Sequence, residues 1–137
     1  MATGAELHAM LPWSHPFQMV DRMLECVPHQ RVVTCKRVSA GDTPAFFPSV
    51  LILEGLSQTA ALLFRESYGP SALSGAPLLG YLGARIRGEA RVGDTLIYTV
   101  TAIKMTSRNG VFAGIARIDT KVVASTDLAF GVGAPWS

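Results

Sequence analysis

The chain has 137 residues, 49% of them apolar and only 16% charged, with a net charge of +2. That length suits one domain with one core. So small a charge, with no Lys/Arg run interleaved with aromatics, gives no footing for nucleic acid. An apolar chain with little charge favours burial of a further face, in an oligomer or around an apolar ligand.

Residues 1–10 lack a basic start and an apolar stretch, so they do not read as a secretory signal. Leu11-Pro12-Trp13-Ser14-His15-Pro16-Phe17 is a proline-bounded lead-in. Alternation then predicts strands over 19–27 and 30–38, with Pro28-His29 as the turn and His29 solvated. Cys26 and Cys35 fall on these strands; with no CxxC or Cys/His ligand spacing they do not suggest zinc. They read as reduced thiols used as small apolar residues, with a cross-strand disulfide as the alternative. Residues 39–48 hold Gly41, Asp42, Pro44 and Pro48 and read as a loop.

A helix follows, with Ser49 as its expected N-cap and Gly69-Pro70 as its stop. From Val50 to Phe64 the only ionisable residue is Glu54, and Gln58 lies four residues on, on the same face. Leu, Ile and Ala fill the other faces, so this helix has no obvious water-facing side. A carboxyl group there is costly unless it is paired or does chemistry. Glu54 and Gln58 also interrupt the longest apolar run before it reaches the ~20 residues a membrane span needs. A soluble cytoplasmic protein without a metal or cofactor is the expectation.

After a loop over 71–77, residues 78–86 read as a strand in which Gly80 and Gly83 mark a bend or a close approach. Over 95–105, Leu96, Tyr98, Val100 and Ala102 alternate against Ile97, Thr99, Thr101 and Ile103. Asn109-Gly110 is a hairpin signal, and strands over 111–118 and 122–130 complete a meander around Asp119-Thr120. The order is two strands, one apolar helix, then four strands. One antiparallel sheet can cover only part of such a helix; wrapping the sheet around it and pairing two units covers the rest. The expected class is therefore α+β, a hotdog fold with an antiparallel sheet wrapped around one long central helix.

Three stretches carry a resemblance. Leu11-Pro12, Pro16-Phe17 and Val20-Asp21-Arg22 are similar to an opening LPHRYPFLLVDR. Phe47-Pro48, Val50-Leu51-Ile52, Glu54 and Gln58 resemble HFPGxPVMPGVLIxEAxAQ. Tyr81-Leu82-Gly83 through Val92-Gly93-Asp94-Thr95-Leu96 resembles a third strand followed by a PGD turn. These are motifs of the FabZ-type beta-hydroxyacyl-acyl-carrier-protein dehydratases, matched in order over nearly the whole chain.

The resemblance implies removal of water from a 3-hydroxyacyl thioester carried by acyl-carrier protein or CoA. In that family a His takes the C2 proton, a helix acid protonates the leaving hydroxyl, and backbone N–H groups hold the thioester oxygen. Glu54 matches the acid and Gln58 the glutamine that holds it. Phe46 stands at the family's His, and the stretch GxPVMPG is reduced to Ser49, without its oxyanion glycine. His15 is the candidate replacement base; imidazole is the right chemistry near neutral pH.

Phe46, Phe47 and Val50 are the expected pocket wall, with Gly83 beside it. Arg85 and Arg87, with Arg91, are candidates for phosphopantetheine or an acidic carrier protein. Asp21-Arg22 reads as structural. The expected assembly is a homodimer, a dimer or trimer of dimers, or a heterodimer with an intact dehydratase. Two other functions fit the same residues: a hotdog thioesterase using Glu54, and a non-catalytic acyl-thioester-binding or partner subunit.

Overall fold

A computed structural model of the chain describes residues 18–42, 46–74 and 77–133. In chain order these form β1 (Arg22–Val27), β2 (Arg31–Arg37), β3 (Phe46–Phe47), α1 (Ser49–Tyr68), β4 (Pro77–Ile86), β5 (Ala90–Arg91), β6 (Thr95–Met105), β7 (Asn109–Ile118) and β8 (Lys121–Val132). Six strands make one antiparallel sheet in the order β1-β2-β6-β7-β8-β4, and β3 pairs with β5 in a small second sheet.

The alternation over β6 decides where the core lies. Leu96, Tyr98 and Val100 are fully buried, and Ala116 and Gly114, the β7 partners of Tyr98 and Val100, are buried with them. α1 rests chiefly on β6 and barely reaches β4. It sinks Ile52, Leu56, Leu62, Leu63 and Phe64 into the sheet. Each such side chain contributes about 1.5–3 kcal/mol when fully buried. The α+β hotdog arrangement expected from the sequence is the one observed.

Several local expectations change. Ser49 is the first helical residue; Pro48 is the N-cap, with φ −57° and ψ 138°. Its carbonyl accepts from the N–H of Leu51 at 2.9 Å. Proline has no N–H to lose and its fixed φ suits a helix entry. Asn109 and Gly110 lie inside β7, and the tight turn is Ser107-Arg108, closed by Thr106 N–H donating to the Asn109 carbonyl at 2.8 Å. Gly110 is needed for a different reason: a Cβ there would lie 2.5 Å from the Phe112 ring.

His29 is not simply solvated. Its N–H donates to Ser67 Oγ at 2.7 Å and its ring meets Tyr68 edge-on at 5.0 Å. Cys26 and Cys35 are free thiols, paired in register with Val32 and Arg22 rather than with each other. Burial and then the charge of Glu66 push the Cys26 thiol up, which keeps it protonated.

The helix is not covered on all sides. Val50 is 67% exposed, and Leu53, Glu54 and Ser57 on the same stripe are only partly buried. The face of β4 on the helix side of the sheet is also left uncovered. Leu79, Leu82 and Ile86 are register partners of buried Phe130, Leu128 and Ala124, yet are themselves exposed.

Candidate functional site

Glu54 sits at the open stripe of α1. One turn on, the Gln58 amide donates from Nε2 to Glu54 Oε1 at 3.1 Å. Gln58 is fully buried, and its Oε1 accepts the N–H of Met19 at 2.7 Å. The helix spacing of four residues makes the first contact, and the run of 18–21 across the helix makes the second. The result is a fixed chain, Met19 N–H to Gln58 to Glu54, which holds one oxygen of a carboxylate that is only partly buried.

The small β3–β5 sheet frames the N-terminal end of α1. Phe46 pairs with Arg91 and Phe47 with Ala90. Phe47 is buried, so it serves the core under the helix entry, while Val50 is the wall residue that faces out. The pairing also carries the cationic 85–91 segment toward this end, where Arg87 and Arg91 are exposed. Among the described residues the N–H groups of Ser49 and Val50 have no partner, and no side chain caps the helix. A helix N-terminus with free N–H groups favours negative charge.

Two expected site residues lie elsewhere in the protomer. Gly83 and Arg85 pair with Asp127 and Ser125 and share the sheet's outer face, away from α1. There they border an open depression of about 370 Å³ that does not include Glu54. The exposed Tyr81 side chain folds over Gly83, and a Cβ there would lie 2.6 Å from its hydroxyl. His15 lies outside the described residues. Asp21 is structural, as expected: its Oδ2 accepts the Arg37 N–H at 2.6 Å and its Oδ1 lies 3.5 Å from Lys36 Nζ.

Lys36 is a buried cation with no local signal in the sequence. It lies 3.2 Å from Asp42 as well as near Asp21. Burial alone would raise the Asp42 carboxyl. Hydrogen bonds from the Ser39 N–H and hydroxyl and from Lys36, with the Lys36 charge, outweigh it and hold the group below its ordinary value. This pairing ties the turn over 39–42 to β2. Among the described residues no group of His, Cys, Asp and Glu could hold a metal, and no helix is long and apolar enough to cross a membrane.

This architecture, a long helix on a six-stranded antiparallel sheet with a partly buried acid on the helix, is that of a hotdog-fold protein. A dehydratase heterocomplex, ApeI:P from Xenorhabdus doucetiae, is similar in structure, with a TM-score of 0.79 at 15% identity over 94% of this chain and 91% of that one. Zebra fish thioesterase superfamily member 2 aligns with a TM-score of 0.73 at 14% identity, over 97% of this chain and 100% of that one.

In sequence, the chain is 37% identical to the 3-hydroxyacyl-[acyl-carrier-protein] dehydratase FabZ of Thermotoga petrophila, over 90% of this chain and 93% of the relative. No family model matches it. The chain belongs to the FabZ dehydratase family.

Proposed function

We propose that this protein binds a 3-hydroxyacyl thioester against the open stripe of α1 and dehydrates it with Glu54 as the acid. The observation that carries this reading is Glu54 itself: a half-buried carboxylate on the open stripe of α1, held by Gln58 in an otherwise apolar stretch of helix. The acyl chain lies along Leu79, Leu82 and Ile86. The thioester oxygen meets the free N–H groups of Ser49 and Val50, which take the part of the missing glycine. Glu54 gives its proton to the leaving 3-hydroxyl while a base removes the C2 proton.

His15 is the base in this reading. The Met19–Gln58 bond supports it, because it ties the chain four residues after His15 to the partner of Glu54. The thioester arrives on an acyl-carrier protein or CoA, with Arg87 and Arg91 as the cations at the mouth. A second copy pairs along β4, whose outer edge has no strand partner among the described residues and whose Leu78, Leu79, Tyr81, Leu82 and Ile86 are exposed.

A second reading is favoured by Phe46, which stands where the family carries its catalytic His. In it the chain is a partner subunit whose Glu54 completes a site with the His of an intact dehydratase. Its likeness to a protein that works as a dehydratase heterocomplex is in keeping with this.

Turnover of 3-hydroxyacyl and 2-enoyl thioesters by the isolated protein separates the readings. On the first, wild type turns over and Glu54→Gln loses activity about 100-fold or more with an unchanged melting temperature. An unchanged rate in Glu54→Gln defeats it. Activity that appears only on mixing with an intact dehydratase selects the partner reading. Release of free thiol without dehydration selects a thioesterase.

A further inference from the structure

Gly55 occupies the second turn of α1, where glycine weakens a helix relative to alanine. The cause lies in the sheet beneath. A Cβ built on Gly55 would be 2.4 Å from the Tyr98 hydroxyl oxygen and 2.5 Å from the ring carbon that bears it. Tyr98 stands on β6, fully buried, and its hydroxyl has no hydrogen-bond partner among the described residues. Burial, then the charges of Asp21 and Asp42, push the phenol far up, so it stays protonated.

A buried hydroxyl without a partner is unfavourable, and phenylalanine would fill the ring's space without it. The oxygen is therefore not explained by stability. Its position suggests what it does. Thr34, directly across from Tyr98 on β2, bonds the Thr59 hydroxyl at 2.8 Å, and Thr59 Oγ1 donates to the Gly55 carbonyl at 2.7 Å. The turn over 54–59 is thus tied at one side by Thr34–Thr59 and rests from below on the Tyr98 oxygen and the ring edge that carries it. Glu54 and Gln58 are the neighbours of Gly55 and Thr59 in the chain.

We propose that Tyr98 is a positioning residue for the Glu54–Gln58 pair: its phenol oxygen sets the height of the helix turn, and Gly55 is the notch that receives it. This deepens the reading of Glu54 as a working acid and rests on it for the activity measurement alone. In Tyr98→Phe the ring carbons still meet the notch but the oxygen is gone, so the turn shifts toward the space it leaves and carries the carboxylate with it.

The first test is Tyr98→Phe. It stays folded, with a melting temperature equal to or above wild type. The side-chain amide resonances of Gln58 and the carboxyl carbon resonance of Glu54 shift, and kcat for the thioester falls about tenfold or more at similar KM, since misplacement by ~1 Å can cost up to ~100-fold. The second is a double-mutant cycle. Gly55→Ala alone lowers the melting temperature, and adding Tyr98→Leu recovers most of that loss.

Unmoved Glu54 and Gln58 resonances in Tyr98→Phe overturn the proposal, as does simple additivity in the cycle. Should wild type turn over no thioester, the resonances and the cycle still decide it, and only the catalytic reading of Glu54 falls.

Discussion

The two ends of α1 are finished in opposite ways. At the C-terminal end Gly69, with φ 100°, turns the chain and donates its N–H to the Arg65 carbonyl at 2.8 Å. Ser67 returns its hydroxyl to Leu63 and accepts the His29 N–H, while the Tyr68 hydroxyl reaches the Met105 carbonyl at 3.1 Å. Arg65 in the last turn suits the negative end of the helix dipole. At the N-terminal end no side chain caps the helix among the described residues, no acid sits in the first turn, and Val50 faces out. The closed end is built for stability. The open end leaves polar backbone and one carboxylate available, and its order comes from contacts set back from the opening.

Of those contacts, the Lys36–Asp42 pairing should matter most. Asp42→Ala leaves a buried cation with only the more distant Asp21, and breaking such a pair costs about 3 kcal/mol. A fall in melting temperature on the order of 10 °C follows. The pH dependence has a definite sign. The folded Asp42 carboxyl is held below its unfolded value, so its contribution is complete above that value and is lost as pH falls through the folded one. Acid titration of unfolding should show wild type losing stability below about pH 4 more steeply than Asp42→Asn.

Gln58→Ala should cost about 2 kcal/mol, since it strands the buried Met19 N–H. It also frees Glu54, so activity should fall further than the stability loss explains. Urea midpoints and turnover measured on the same preparations would reveal it; equal loss in both would make Gln58 a strut and nothing more. At the closed end, Gly69→Ala meets open space, so its cost is backbone strain alone, about 1.5 kcal/mol. Turnover in the folded protein should be unaffected.

How much of this could be read from the sequence depended on the range of the interaction. The strand–helix–strand order and the inward alternation of Leu96, Tyr98 and Val100 were legible, because periodicity is a local property. So was the pairing of Glu54 with Gln58 at a spacing of four. Two-residue strands such as β3 and β5 have no period to detect. The Met19 N–H, 39 positions from Gln58, gives no signal because every residue has one. Asn109-Gly110 misled because glycine has two uses, a turn and a close approach, and here Phe112 demands the second. The fit of Tyr98 to Gly55 joins positions far apart in the chain, which only the fold brings together.

The smallest effect is the most discriminating. Ser67→Ala removes the acceptor for the His29 N–H and the return bond to Leu63, both near the surface, and should cost about 0.5–1 kcal/mol. His29 itself, with φ 67°, holds a left-handed backbone that non-glycine residues adopt only with support. Losing Ser67 should therefore loosen the β1–β2 turn first, and the His29 amide should exchange with solvent about 2–5-fold faster, in proportion to that cost. The Gln58 side-chain amide, nine residues back toward the open end, should exchange as in wild type. If both respond together, α1 behaves as one rigid unit and its ends are not independent. If only His29 responds, stability at the closed end can be changed without disturbing Glu54.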